Sequence, residues 1–102
     1  MASKSGLQKE VLALYRRALR ITNSKPPQTR SKFRLFVRYT FHMNAANVSP
    51  REVGAVEYLL RKGKRQIEAF EDPAVKDCWV SGEMRAWDQT RNKRMPAQPQ
   101  SS

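Results

Sequence analysis

Apolar residues recur at helical spacing along three consecutive segments of this chain. In the first segment, residues three or four apart form one stripe: Leu7, Val11, Leu14, Tyr15, Ala18 and Thr22. This spacing predicts an amphipathic helix over about residues 5–22, with basic side chains on the opposite face. Pro26 and Pro27 follow, and proline lacks a backbone donor and disfavours helical geometry before it. We therefore expect the first helix to end near Thr22.

The second segment predicts a helix that begins at Thr29 or Ser31, since either residue is a suitable N-cap. It should end near Asn44, because residues 44–47 combine two asparagines with two alanines in a turn-like sequence. The apolar stripe of this helix comprises Phe33, Phe36, Val37, Thr40 and Phe41.

The third segment opens with the clearest local signal in the chain. Ser49, Pro50 and Glu52 match a capping box, in which the serine and the glutamate satisfy each other's backbone amides and proline takes the first helical position. The helix should therefore span about residues 50–71. Its buried stripe comprises Val53, Val56, Leu60, Gly63, Ile67 and Phe70, and Leu59 widens it.

Gly63 lies on this stripe, although glycine costs a helix about 1 kcal/mol relative to alanine. One explanation is the close approach of a neighbouring helix or of a bound group. The other is a position beside solvent where the residue has no special role. The sequence leaves both open.

Three amphipathic helices joined by short connections predict an all-α fold, an antiparallel three-helix bundle in up-down-up order over residues 1–72. Asp72 and Pro73 close it. Residues 73–102 lose clear periodicity and predict a poorly structured C-terminal tail, with residues 96–102 disordered. Trp79 and Trp87 either dock on the bundle or on a partner, or belong to the disordered tail; both alternatives stay open.

The charge of the chain points to an anionic partner. The sequence holds 20 Lys/Arg against 9 Asp/Glu, a formal net charge of +11, and no acidic residue occurs from Val11 to Arg51. Such a surface attracts an acidic protein, a nucleic acid or lipid headgroups. The alternative is that the charge serves only solubility and import into a compartment that favours basic chains.

The sequence gives little indication of catalysis or of metal binding. Cys78 and His42 are the single cysteine and the single histidine, so a self-contained zinc or iron–sulfur site, which needs about four such ligands, is excluded. Neither residue has an evident catalytic partner at a recognisable spacing. No apolar run approaches the length of about 20 residues that spans a bilayer. We expect no cofactor, no metal and no enzymatic activity.

Several stretches of the sequence occur in an order and spacing that resemble the LYR-motif family of small mitochondrial matrix proteins. The resemblance covers about residues 6–70 and is most specific in the third helix. It departs from the family pattern at Leu60, around residues 43–48 and in the tail. The stretches that carry it are Leu7-Gln8, residues 11–16 with the tripeptide Leu14-Tyr15-Arg16, Leu19-Arg20, Lys25-Pro26, Phe36 and residues 57–66.

The resemblance implies a non-enzymatic assembly factor in the mitochondrial matrix that binds and protects the iron–sulfur subunit of succinate dehydrogenase (respiratory complex II). The first 21 residues are basic and amphipathic with one acid, Glu10, which is typical of mitochondrial targeting sequences. Because they also carry the tripeptide and the apolar stripe, we expect them to be retained.

The resemblance also assigns two groups of partner-binding residues. The first is expected to contact an iron–sulfur co-chaperone or acyl carrier protein: Leu14, Tyr15, Arg16, Arg20 and Phe36. The second is expected to face the iron–sulfur subunit: Arg61, Lys62, Lys64 and Arg65. Tyr58 falls among these cations on the side of the third helix away from its apolar stripe, and an aromatic among arginines suits the binding of carboxylates.

Two further interpretations remain. Many LYR proteins bind acylated acyl carrier protein, with the lipid chain between the helices and arginines against the acidic carrier; the basic first two helices and Gly63 suit that partner. The second interpretation is nucleic-acid binding, favoured by aromatic residues interleaved with arginine. No DNA- or RNA-binding motif is present, and the core needs most of the aromatic residues.

Overall fold

The structure is a computed structural model that describes residues 6–93. These residues form four α-helices and contain no strand. The helices are α1 (Gly6–Thr22), α2 (Arg30–Asn47), α3 (Val53–Glu71) and α4 (Gly82–Lys93). The first helix packs against both α2 and α3, and α4 packs against α2. The all-α class is thereby confirmed, while the up-down-up order and the division at residue 72 stay predictions.

The core lies where α1 meets α2 and α3, and the three apolar stripes supply it. Its buried cluster consists of Leu14, Ala18, Val37, Leu60 and Ile67. An aromatic group adjoins it: Phe33 is fully buried, and the Phe70 ring lies 5.1 Å from the Phe33 ring and 5.5 Å from the Phe36 ring, both edge to face. Tilted and edge-on pairs at this separation add to the stabilisation from burial.

Gly63 marks the closest approach of α3 to α1. A Cβ atom at this position would lie 3.1 Å from Leu14 Cδ2, tighter than ordinary van der Waals contact. The structure therefore favours the first explanation for this glycine: it lets the Leu14 side chain fill the space that a larger residue would occupy. The helix-propensity cost is offset by close packing between two helices.

The boundaries of α2 and α3 differ from the predicted ones. The predicted turn at residues 44–47 is wrong, because α2 continues to Asn47, and the Val48 amide still donates to the Asn44 carbonyl at 3.1 Å. Alanine is the best helix former, which explains why two alanines carry the helix through this sequence.

Only half of the predicted capping box forms, in a turn that precedes the helix, because the Ser49 Oγ accepts from the Arg51 amide at 3.2 Å and not from the Glu52 amide. The Ser49 amide donates to Glu52 Oε2 at 3.3 Å, and the Glu52 amide donates to the Ser49 carbonyl at 2.9 Å. The helix itself begins at Val53, three residues later than predicted. Val53, predicted to be buried, is 52% exposed, because at the first position of α3 it lies beyond the core.

The fourth helix was not predicted, and the expectation of a poorly structured tail is wrong for residues 82–93. Ser81 begins this helix: its Oγ accepts a hydrogen bond from the Met84 amide at 3.1 Å, as an N-cap serine does. Met84 is buried. The predicted disorder of residues 96–102 lies outside the described residues.

The segment between α3 and α4 is tied to the start of α2 at three consecutive residues. Lys25 Nζ donates to the Val75 carbonyl at 2.7 Å, and the Thr29 hydroxyl donates to the Lys76 carbonyl at 2.6 Å. Lys32 Nζ completes the series with an ion pair to Asp77 at 3.0 Å. These contacts fix the path by which the chain returns to α2.

Lys25 makes the most unusual of these contacts, because it is a buried cation without a carboxylate partner among the described residues. Its side chain is 4% exposed, its Nζ also donates to the Asp72 carbonyl at 3.3 Å, and the ammonium lies 5.1 Å from the centre of the Phe33 ring. Asp72 is the C-cap of α3, where the helix dipole is negative. The two carbonyls, the dipole and the ring together replace water around the charge.

We expect Gly63→Arg to destabilise the fold by about 1–3 kcal/mol, because the new side chain must displace Leu14 from a packed contact. Gly54→Arg is the matched control, since a Cβ at Gly54 meets nothing within 4 Å. Chemical denaturation followed by circular dichroism measures both. Equal stability of the two variants would contradict the close approach.

Replacing Lys25 by methionine should cost about 1–3 kcal/mol of unfolding free energy, because the Asp72 and Val75 carbonyls would lose their donor. Lys76→Met is the control, since the exposed Lys76 side chain makes no hydrogen bond or ion pair among the described residues. The same denaturation experiment applies. A Lys25→Met variant as stable as Lys76→Met would show that the ammonium contributes nothing.

Candidate partner-binding site

The outer face of α3 displays a group of cations. Leu60, Gly63 and Ile67 lie on the side of α3 that packs against α1. The charged residues between these positions in the sequence therefore lie on the solvent side of the helix. Tyr58 is 53% exposed, and the four basic residues beyond it are exposed as well. This set, the α3 basic face, consists of Tyr58, Arg61, Lys62, Lys64 and Arg65.

None of the four cations in the α3 basic face has a carboxylate within 4.0 Å among the described residues. The ion pairs in that part of the chain lie elsewhere: Arg17–Glu71, Lys32–Asp77 and Arg91–Asp88. Of the exposed acids of α3, Glu71 pairs with Arg17 on α1, and Glu57 and Glu68 pair with none of the four cations. The α3 basic face is therefore free to engage carboxylates of another molecule.

The tripeptide in α1 is divided between the core and the surface. Leu14 is 6% exposed and packs beneath Gly63. The Tyr15 ring is half-buried, with its centre 4.9 Å from that of the Phe41 ring. Arg16 is exposed and has no partner among the described residues. Of the three side chains, only that of Arg16 is exposed to solvent and accessible to a partner.

Arg20 and Phe36, the other two residues predicted to contact a co-chaperone or acyl carrier protein, are likewise divided between the surface and the core. Arg20 is exposed and lies one helical turn beyond Arg16, so the structure brings these two arginines to one outer face of α1. Phe36 is half-buried and its ring contacts Phe70 in the aromatic group of the core. The structure does not bring Phe36 together with Arg16 and Arg20 as one surface.

A cleft of about 400 Å³ lies beside Tyr15, and the sequence did not predict it. Trp87 of α4 forms one wall: its ring centre is 5.7 Å from that of Tyr39 and 5.2 Å from that of His42. Ordered docking, one of the two alternatives for the tryptophans, thus holds for Trp87. No acidic residue lines the cleft, which is formed by Val11, Leu12, Tyr15, Arg38, Phe41, His42, Ala45, Trp87 and Arg91.

The second tryptophan behaves differently. Trp79 is 75% exposed and lies beside Cys78 on a shallow, open depression. Burial raises the pKa of the Cys78 thiol, and the charge of Asp77 raises it further. A hydrogen bond from Lys32 lowers the pKa of Asp77, so that carboxylate stays charged. The thiol is accordingly protonated at neutral pH, unlike an activated nucleophile.

Within residues 6–93, no three His, Cys, Asp or Glu side chains come together as a metal site, and no helix has the length and hydrophobicity to cross a membrane. The arrangement is one of charged and aromatic surfaces on a helical scaffold. It suits binding to another macromolecule.

Comparison with known proteins identifies the scaffold. The family model described as "Complex 1 protein (LYR family)" matches residues 9–69, which include the tripeptide and the α3 basic face. The chain belongs to the LYR family. The resemblance inferred from the sequence is thereby confirmed, and α4 lies beyond the residues that this LYR model matches.

Curated relatives are similar to this chain over most of their own length. Succinate dehydrogenase assembly factor 1A, mitochondrial, from Dictyostelium discoideum is 41% identical over 70 residues, covering 68% of this chain and 77% of the relative. Succinate dehydrogenase assembly factor 1, mitochondrial, from Schizosaccharomyces pombe is 40% identical over 77 residues, covering 76% and 96%. The Saccharomyces cerevisiae protein of that name is 36% identical over 71 residues, covering 70% and 89%. No solved structure matches this LYR chain.

The divided tripeptide predicts that its residues differ in their effect on stability. Tyr15→Ala should destabilise the fold by about 1–3 kcal/mol, because the contact with Phe41 is lost. Arg16→Ala should change the unfolding free energy by less than about 0.5 kcal/mol, as expected for an exposed side chain. Thermal unfolding of the two variants tests this. An Arg16→Ala variant as unstable as Tyr15→Ala would contradict the assignment.

Proposed function

We propose that this LYR protein is an assembly factor for succinate dehydrogenase, and that in the mitochondrial matrix it binds and protects the iron–sulfur subunit of that enzyme. Support comes from the names of the relatives, which describe mitochondrial assembly factors for succinate dehydrogenase. The protein acts by binding, without turnover of a substrate.

The observation that carries this proposal is the unpaired α3 basic face. Arginine forms two parallel hydrogen bonds with a carboxylate, and lysine adds charge with less geometric demand. Tyr58 supplies an exposed aromatic surface beside Arg61 and Lys62, and tyrosine and arginine are frequent at the centres of protein interfaces. A client surface rich in Asp and Glu would bind there quickly and with strong dependence on salt.

The first helix would serve a second partner, an iron–sulfur co-chaperone. In this proposal Arg16 and Arg20 contact the co-chaperone directly, since both are exposed and neither is paired among the described residues. Leu14 and Tyr15 act indirectly, because their packing against Gly63 and Phe41 holds α1 in position.

A second candidate is binding to acylated acyl carrier protein. One observation favours it: the apolar cleft at Tyr15 opens on α1, the helix that also carries Arg16 and Arg20. An acidic carrier could meet the arginines while an acyl chain met the apolar wall. The two partners are compatible, because the α3 basic face lies on a different helix.

Reversing charge on the α3 basic face tests the principal proposal. Arg61→Glu combined with Arg65→Glu should lower recovery of the iron–sulfur subunit by about tenfold or more, because it places like charges opposite the client's carboxylates. The matched control is Lys76→Glu combined with Arg85→Glu, which changes the net charge equally at exposed, unpaired cations elsewhere. The measurement is affinity capture of the tagged full chain from mitochondria at low and high salt.

The eluted proteins distinguish the candidates. Recovery of the iron–sulfur subunit that falls with salt and with the α3 variant, but not with the control, supports the assembly role. Acyl carrier protein as the main recovered protein supports the second candidate. Equal loss in both double variants would mean that net charge alone, and not the α3 basic face, determines binding, and capture sensitive to nuclease would indicate a nucleic acid.

A further inference from the structure

Helix α4 packs against one face of α2 through Trp87, whose ring lies beside Tyr39 and beside His42, which stays partly exposed. This face, the α4-binding face, consists of Tyr39 and His42 and continues into the cleft at Tyr15. It is aromatic, and it is cationic, because α2 carries Arg38 in the cleft wall and has no acidic residue along its length.

Docking of α4 depends on few side chains. The helix has 12 residues, and its apolar side chains other than alanine are Met84 and Trp87. An isolated helix of this length is marginal in water, where about 12–15 residues are needed even for favourable sequences. The Arg91 guanidinium, 5.0 Å from the Trp87 ring centre, and its ion pair with Asp88 lie within α4 itself and do not attach it to α2.

The chain leading to α4 would remain anchored if α4 left. The bonds to Val75, Lys76 and Asp77 hold the connecting segment to the α1–α2 region, upstream of the helix. Residues 78–81 then form a short connection whose backbone makes no such contact with α2 among the described residues. Local opening of α4 is therefore separable from unfolding of the bundle, as expected for an element with little buried apolar surface.

We propose that the α4-binding face is a binding surface for a helix of another protein, and that α4 occupies it in the free protein. The partner helix carries an aromatic anchor, which takes the place of Trp87, and acidic residues, which meet the cations of α2. The chemistry follows from the occupant that the structure shows and from the absence of carboxylates along α2. This proposal does not depend on the role in succinate dehydrogenase assembly.

Peptides provide the probe. One peptide has the sequence of residues 81–93 with Arg85→Glu and Arg91→Glu, which makes it acidic, and a second carries Trp87→Ala in addition. Binding of the labelled peptides to the full-length protein is measured by fluorescence anisotropy.

Two protein variants are designed to release α4 from α2. Trp87→Ala removes the side chain that anchors α4, and Ala86→Pro breaks the helix at an exposed position. Trp79→Ala is the control, because it removes a tryptophan that is 75% exposed and does not contact the α4-binding face.

The acidic peptide should bind the two released variants about tenfold more tightly than it binds the wild type or Trp79→Ala, the ratio expected if α4 covers the face in about nine molecules of ten. Its affinity should fall with added salt, and the peptide without tryptophan should bind none of the proteins. Circular dichroism confirms that α1–α3 stay folded in each variant.

Three outcomes would overturn the proposal. Equal affinity for wild type and released variants would show that α4 does not compete. Equal binding of the peptide without tryptophan would reduce the interaction to charge alone. If the acidic peptide binds neither variant while α1–α3 remain folded, the face serves only for the packing of α4 and is not a binding surface for another protein.

Discussion

The contact between Gly63 and Leu14 sets the distance between α1 and α3, and the positions of both proposed partner surfaces depend on it. Because α3 lies this close, its apolar side is buried against α1, and Arg61 and Lys62 are left on the outside. The same contact buries Leu14 and thereby orients its neighbour Arg16 away from the core. The absence of a side chain at Gly63 therefore allows the apolar stripes of the two helices to pack closely, with the charged residues of both helices on the outside.

The sequence was sufficient to predict the three amphipathic helices and the exposed cations, because both follow from periodicity. Once Leu60 and Ile67 are assigned to the core, helical geometry places Arg61 and Arg65 outside. The family could be inferred as well, since the tripeptide and residues 57–66 occur in one order and spacing. These features are local and repeat along the chain.

The features that the sequence did not reveal arise from contacts between distant segments. Helix α4 offers only Met84 and Trp87 as large apolar residues, too few for a periodic signal, and Ser81 as N-cap was its one local indication. The burial of Lys25 depends on carbonyls about 50 residues later in the chain. The division of the tripeptide depends on Phe41, so the roles of Leu14, Tyr15 and Arg16 could not be separated from one helix alone.

The environment of Lys25 bears on how far this LYR scaffold can be shortened. Its ammonium group lies over the Phe33 ring and donates hydrogen bonds to the carbonyls of residues 72 and 75. Both carbonyls lie beyond residue 69, where the match to the LYR model ends. A product truncated at that point would lose both carbonyl acceptors of Lys25 and also Phe70, whose ring packs against the fully buried Phe33. Part of the packing around α2 therefore comes from residues beyond those that match the family model, and we expect a stable form of this protein to include them.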